Sequence, residues 1–210
     1  MPSGPSDGGG AGPEAAAERF LNQVAGSDGA WRALRRGDGE LVGFTGGQIS
    51  PEARGRAGIL RLARGLAASA GVQLMKDEAA VVDSGLTLAY HFRQSIRGWP
   101  VYGAELSLLA REPDGAVFLI NSSLKTVPDF LGAGQIPADS ARQLVARYLG
   151  RGARISLRDP GPTIWAEQGA AEPAWIFRAE LGKGGHFDRR EVLIGAESGW
   201  VLRDESVLAN

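Results

Sequence analysis

The 210 residues contain no cysteine. That removes disulfides, thiolate metal sites and thiol nucleophiles together, although it excludes no compartment. Histidine occurs twice, at His91 and His186. A zincin needs two histidines one helical turn apart, as HExxH, plus a third ligand, and neither histidine has a ligand partner at that spacing. No GxSxG nucleophile elbow is present. The glycines between Gly8 and Gly12 lack the Lys and Ser/Thr of a phosphate-binding loop and read as a flexible tail. No apolar run approaches the roughly 20 residues of a membrane helix. The net charge of -1 gives no bulk electrostatic reason to expect nucleic acid as a partner. Lysine stands only at 76, 125 and 183, the other basic residues being arginine. The first twenty residues have no basic start followed by an apolar core, so they do not read as a signal peptide. Nothing implies a cofactor or a metal.

What is present suffices for folded cores: 43% of residues are hydrophobic and 22% charged, an ordinary balance for a globular chain of this length. Residues 1–13 are rich in Gly, Pro and Ser and are predicted to be a disordered tail. Residues 14–25 carry Ala17, Phe20, Leu21 and Val24 at helical spacing. Residues 26–39 are polar and Gly-rich, with Trp31 and Leu34 as their expected anchors; Glu40 to Thr45 reads as a strand. Ser50-Pro51-Glu52 has the form of a helix start, with Ile59, Leu62, Ala63 and Leu66 as the buried stripe and Gly71 as the stop.

Residues 86–110 are the most informative stretch. Leu86, Leu88, Tyr90, Phe92 and Ile96 share one parity with Gln94, while Thr87, His91, Arg93, Ser95 and Arg97 take the other. That is the period of a half-buried strand. Ile96 to Pro100 reads as a turn into a second strand, and Pro113-Asp114-Gly115 as a turn into a third at Ala116 to Ile120. The Gly/Pro-containing stretch 126–137 suggests a boundary. Beyond it, Ala141, Leu144, Val145, Tyr148 and Leu149 form a helical stripe stopped by Gly150. Strand-like runs follow at 155–157, 163–166, 174–181, 189–194 and 200–202, with Glu197-Ser198-Gly199 as a tight turn. The predicted class is therefore α+β, with two units that are each an antiparallel sheet carrying a helix on one face. The predicted division is 1–13 tail, 14–130 first domain and 131–210 second domain.

The wording of the hairpin resembles a known module. Gln94 closes one strand, and Gly98-Trp99-Pro100-Val101-Tyr102-Gly103-Ala104-Glu105-Leu106 follows a turn; Asp114-Gly115 comes after. This is similar to the propeptides of thermolysin-like and fungalysin-like zinc metalloproteases, a fungalysin/thermolysin propeptide module followed by a PepSY module. The second half is similar to PepSY in its helix IPADSARQLVARYL and in its close, Ile194 to Leu202, with Gly195 where Asp is usual and Trp200 at a position more often polar. The resemblance spans roughly residues 40–206. It implies two cystatin-like units and secretion or periplasmic location. It implies a thermolysin-like metalloprotease catalytic domain as partner, in cis or in trans, with this chain as folding chaperone and inhibitor. The chain itself carries no HExxH, so it is read as non-catalytic.

Three readings follow. The first is a prodomain or a stand-alone relative of one. The second is a non-catalytic PepSY-type module that binds or regulates another exported protein. The third is an enzyme of unrecognised type. Arg93, Ser95, Arg97, Trp99 and Tyr102 are the candidate partner contacts. Gln94, Gly98, Pro100, Gly103 and Gly199 read as structural: an inward amide seeking backbone partners, a fixed φ, and backbone devices at turns or a bulge. Trp99 is either tucked back on its sheet or offered to a partner. His91 reads as a residue of a solvated sheet face and His186 as a plain turn residue. Trp165, Trp175 and Phe177 read as core.

Overall fold

The computed structural model describes residues 12–50, 56–76, 80–112, 114–128, 130, 132, 136–150, 152–167, 169–183 and 186–207. Pro51 and Glu52 of the expected helix start, Pro113, Gly184, Gly185 and the glycine run before Gly12 lie outside them. The chain divides into two compact units, one formed by Met1–Gln94 with Ala104–Leu124 and the other by Ser95–Gly103 with Lys125–Asn210. The tip of the 86–110 hairpin thus groups with the second unit and its stem with the first.

In the first unit, helix α1 (Pro13–Gln23) opens with Pro at its first position, where the missing N–H costs nothing. Strands β1 (Ser27–Arg35) and β2 (Leu41–Ile49) pair antiparallel. Helix α2 (Arg56–Ser69) buries Ile59, Leu62, Ala63 and Leu66, as its spacing dictates. It ends where Gly71, at φ 74°, lets its N–H reach the Ala68 carbonyl and the Val72 N–H reach that of Ala67. Strands β3 (Gln73–Leu74), β4 (Ala80–Asp83), β5 (Thr87–Ile96), β6 (Trp99–Arg111) and β7 (Val117–Ser122) follow. β5 pairs with β3, β4 and β6; β6 pairs with β7; and β7 returns to lie beside β2. The core unites Ala17 and Leu21 of α1, Leu62 and Leu66 of α2, and Phe92, Leu106, Leu108 and Ile120 of the sheet. Burying each large side chain of this set contributes about 1.5–3 kcal/mol.

Residues 27–35 are a strand, an assignment the polar, Gly-rich sequence does not make. Only Trp31 of its side chains is fully buried, so no alternation announces it. Trp31 is 1% exposed, whereas Leu34, expected as a second anchor, is exposed. Trp31 is seated by Asn22, whose carbonyl accepts from the Trp31 N–H at 2.9 Å and whose amide donates to the Trp31 carbonyl at 3.2 Å. Gly47 lies flat beneath the indole; a Cβ built there would fall 2.3 Å from Nε1.

In the second unit, helix α3 (Ala138–Leu149) buries Ala141 and Val145 and ends at Gly150. Strands β8 (Arg154–Leu157), β9 (Thr163–Glu167), β10 (Ala170–Lys183), β11 (His186–Gly195) and β12 (Val201–Ser206) form an antiparallel sheet. β10 lies between β11 and β9 with β8, and β12 pairs with β11. α3 packs on the face that carries Phe177, Val192 and Ile194. Tyr148, expected in the buried stripe, is exposed instead, and its hydroxyl donates to Asp204 at 2.8 Å. Phe177 is core. Trp175 is partly buried with its indole N–H on the Ile136 carbonyl at 2.9 Å. Both units are α+β. Among the described residues no helix is long and apolar enough to cross a membrane.

Candidate functional site in the β5–β6 hairpin

The hairpin turns through two residues, Arg97 and Gly98, at φ 51° and 83°. Positive φ at both centres is the turn whose twist matches paired strands. The turn is therefore tighter than the five residues the sequence suggested, and Trp99 and Pro100 already belong to β6. Gly98 needs its conformation rather than space, since nothing lies within 4 Å of a Cβ built there. Gly103 is similar: φ is 65° and the nearest atom to a built Cβ is Lys125 Nζ at 3.7 Å. Gly199, at φ 71°, serves the turn before β12.

In the stem, which belongs to the first unit, Gln94 is 3% exposed and continues the buried parity of Tyr90 and Phe92. On the other parity the face is not simply solvated. His91 Nδ1 lies 2.7 Å from Glu105 Oε1 and 2.9 Å from Ser107 Oγ, and the Ser107 hydroxyl donates to the same Glu105 oxygen at 2.7 Å. The Glu105 N–H in turn donates to Ser123 Oγ at 2.9 Å. Hydroxyl and carboxylate thus meet one imidazole nitrogen. A Ser/His/Asp relay needs them on opposite nitrogens, so that one orients the ring while the other exchanges a proton. Here the three groups close a ring on themselves, and Ser107 is buried. The arrangement cross-links β5 and β6 and does not prime a nucleophile. Arg93 is half-buried, and its carbonyl accepts from the Met75 N–H at 2.9 Å.

In the tip, which belongs to the second unit, Arg97 and Trp99 converge on Phe130. The guanidinium lies 5.2 Å from that ring's centroid, and the indole lies 6.5 Å from it at a 32° tilt. Arg97 Nη1 also donates to the Phe130 carbonyl at 3.3 Å. Trp99 is half-buried here, and Ser95 is buried. The Pro100 carbonyl accepts from Thr163 Oγ1 at 2.8 Å, and Val101 pairs in parallel with Ile164 of β9. The Tyr102 hydroxyl donates to Glu191 Oε1 at 3.0 Å, a carboxylate that also accepts from Arg158 at 2.9 Å. Arg203 lies 5.5 Å from the Tyr102 ring centroid and pairs with Glu167 and Glu205. Burial first, and the Glu191 charge second, push the Tyr102 phenol up to about 12.

The sequence candidates Arg97, Trp99 and Tyr102 are thus drawn together with Phe130, Glu191 and Arg203. Those partners went unread because they come from segments 30 to 100 residues away. Glu105 and Ser107 were nearer to hand, since they share a parity on the strand after the turn. Among the described residues no group of three or more His, Cys, Asp or Glu could hold a metal ion. In the β10–β11 register His186 stands opposite Lys183.

The chief uncovered apolar side chains lie elsewhere. Among the described residues of the first unit the most exposed are Leu86 at 80%, Val82 at 57% and Val81 at 45%, the two valines lying on β4; in the second unit the most exposed is Trp200, at 74%.

No family model matches the chain, and no curated protein matches it. Among solved structures it is similar to the Bacillus megaterium YpeB C-terminal domain, with 12% sequence identity, a TM-score of 0.40, and 94% of this chain and 96% of that chain covered.

Proposed function

We propose that this chain is a non-catalytic binding module of the PepSY type that engages an extended segment of another exported protein. The observation that supports it is the edge strand β4. Among the described strands it pairs only with β5, so no described strand covers its other edge. Val81 and Val82 are neighbours, so their side chains point to opposite faces, and both are exposed. A ligand resting on one face would cover one of them. A strand added beside β4 brings cross-strand partners to both, using main-chain bonds for affinity and alternate side chains for selectivity. The occupant is therefore an extended, apolar protein segment. Panning a displayed random-peptide library against the chain tests this. Extended apolar peptides should be enriched and lose at least tenfold in affinity on Val82→Lys. Enriched peptides indifferent to that change, or none at all, would contradict it.

A second reading keeps the protease. The wording from Gln94 to Glu105 favours a propeptide-like chaperone and inhibitor of a thermolysin-like metalloprotease, with Gln94 buried and Gly103 at positive φ as a structural motif requires. In that reading the sheet would dock beside the catalytic cleft. The chain added at micromolar concentration to such a protease should then form a complex and slow peptide hydrolysis. Neither effect would leave the binding module alone.

A further inference from the structure

The edge of β9 away from β10 is occupied by the hairpin tip of β6. β10 is paired along its whole run from Ala174 to Lys183 with β11. Among the described residues, the tip and β9 stand in register at the parallel pair Val101 with Ile164. Besides its pairing within the β5–β6 hairpin, the tip is anchored by Trp99 and Arg97 on Phe130, by Thr163 on the Pro100 carbonyl, and by Tyr102 with Glu191 and Arg203. Side-chain anchors seated in separate niches are how a sheet edge selects the peptide it pairs with, the main-chain bonds supplying affinity.

We propose that the outer edge of β9 is an acceptor for an extended aromatic segment, and that the hairpin tip is the chain's own competitor for it. The tip defines the chemistry of the ligand. One aromatic ring lies on Phe130; three residues on, a tyrosine reaches Glu191 beneath Arg203; between them the backbone is extended, with a carbonyl facing Thr163. A partner segment carrying that pattern displaces the tip. The inference extends the strand-addition reading to a second site that does not involve β4.

The test uses the full chain and a fluorescent peptide with the sequence of residues 96–104. A tethered tip competes at an effective concentration in the millimolar range, so the peptide at tens of micromolar should bind the wild-type chain poorly. Trp99→Ala with Tyr102→Phe weakens the competitor and leaves Phe130, Thr163, Glu191 and Arg203 intact. That variant should bind the peptide at least tenfold more tightly, and adding Thr163→Val should remove the gain. A folded double variant that binds no better than wild type would overturn the proposal. If the double variant does not fold, amide exchange of the wild-type chain decides. The Val101 and Tyr102 amides should exchange at least a hundredfold faster than those of β10 paired with β11, and equal rates would overturn it. Peptides selected on β4 should bind the double variant as they bind wild type, so failure at β9 is separable from failure of the strand-addition reading.

Discussion

The Tyr102 hydroxyl and the Glu191 carboxylate share a 3.0 Å hydrogen bond between residues 89 positions apart. Burial first, then the Glu191 charge and this bond, disfavour ionisation of the phenol. A folded-state pKa of about 12 lies above the ordinary tyrosine value of about 10. The native state therefore keeps its proton where the unfolded chain has lost it. The stability gained is whole below pH 10 and is lost as pH rises toward 12. Tyr102→Phe should destabilise the chain at pH 8 by about 1 kcal/mol. The difference from wild type should shrink between pH 10 and 12, as followed by urea unfolding at each pH.

The seating of Trp31 between Asn22 and Gly47 makes the first unit sensitive at a position with no chemical role. Trp31→Ala should cost about 3–5 kcal/mol, the range for a large buried aromatic. Trp200→Ala, at an exposed turn, should change stability by no more than about 0.5 kcal/mol. Thermal unfolding of the two variants side by side checks both.

Gly43 and Gly98 both have positive φ, and they separate two causes of glycine dependence. A Cβ at Gly43 would fall 2.0 Å from the Ile120 carbonyl oxygen, a backbone atom that cannot swing away. At Gly98 there is room, and only the left-handed backbone resists, at about 1–2 kcal/mol. Gly43→Ala should therefore be the more damaging in melting experiments, with Gly98→Ala folded but less stable.

The ring formed by His91, Glu105 and Ser107 gives a chemical prediction. With hydroxyl and carboxylate on the same imidazole nitrogen, Ser107 is not activated. A fluorophosphonate probe should leave Ser107 unlabelled, and Ser107→Ala should cost about 1 kcal/mol of stability. Labelling at Ser107 would contradict the non-catalytic reading.

The second unit was the more legible from sequence. Its helix and five strands were all read, because Leu, Val and Ile at helical spacing and the alternation of Trp175 and Phe177 are local signals. The first unit hid β1, which buries only Trp31, and β4, whose valines are uncovered and so show no alternation against polar neighbours. Within the hairpin, alternation gave the faces and placed Gln94 inward. It did not give the Arg97-Gly98 turn, since arginine at positive φ is uncommon. Nor did it give the convergence on Phe130 and Glu191, because tertiary pairing across such separations leaves no periodic trace.

The most direct test of the binding-module reading is an amide-resolved NMR titration of the full chain with a library-selected extended peptide. Strand addition beside β4 should perturb the amides of residues 80–83 first, and those of the paired stretch Leu88 to His91 next. A bound peptide that leaves all of these unmoved would contradict it.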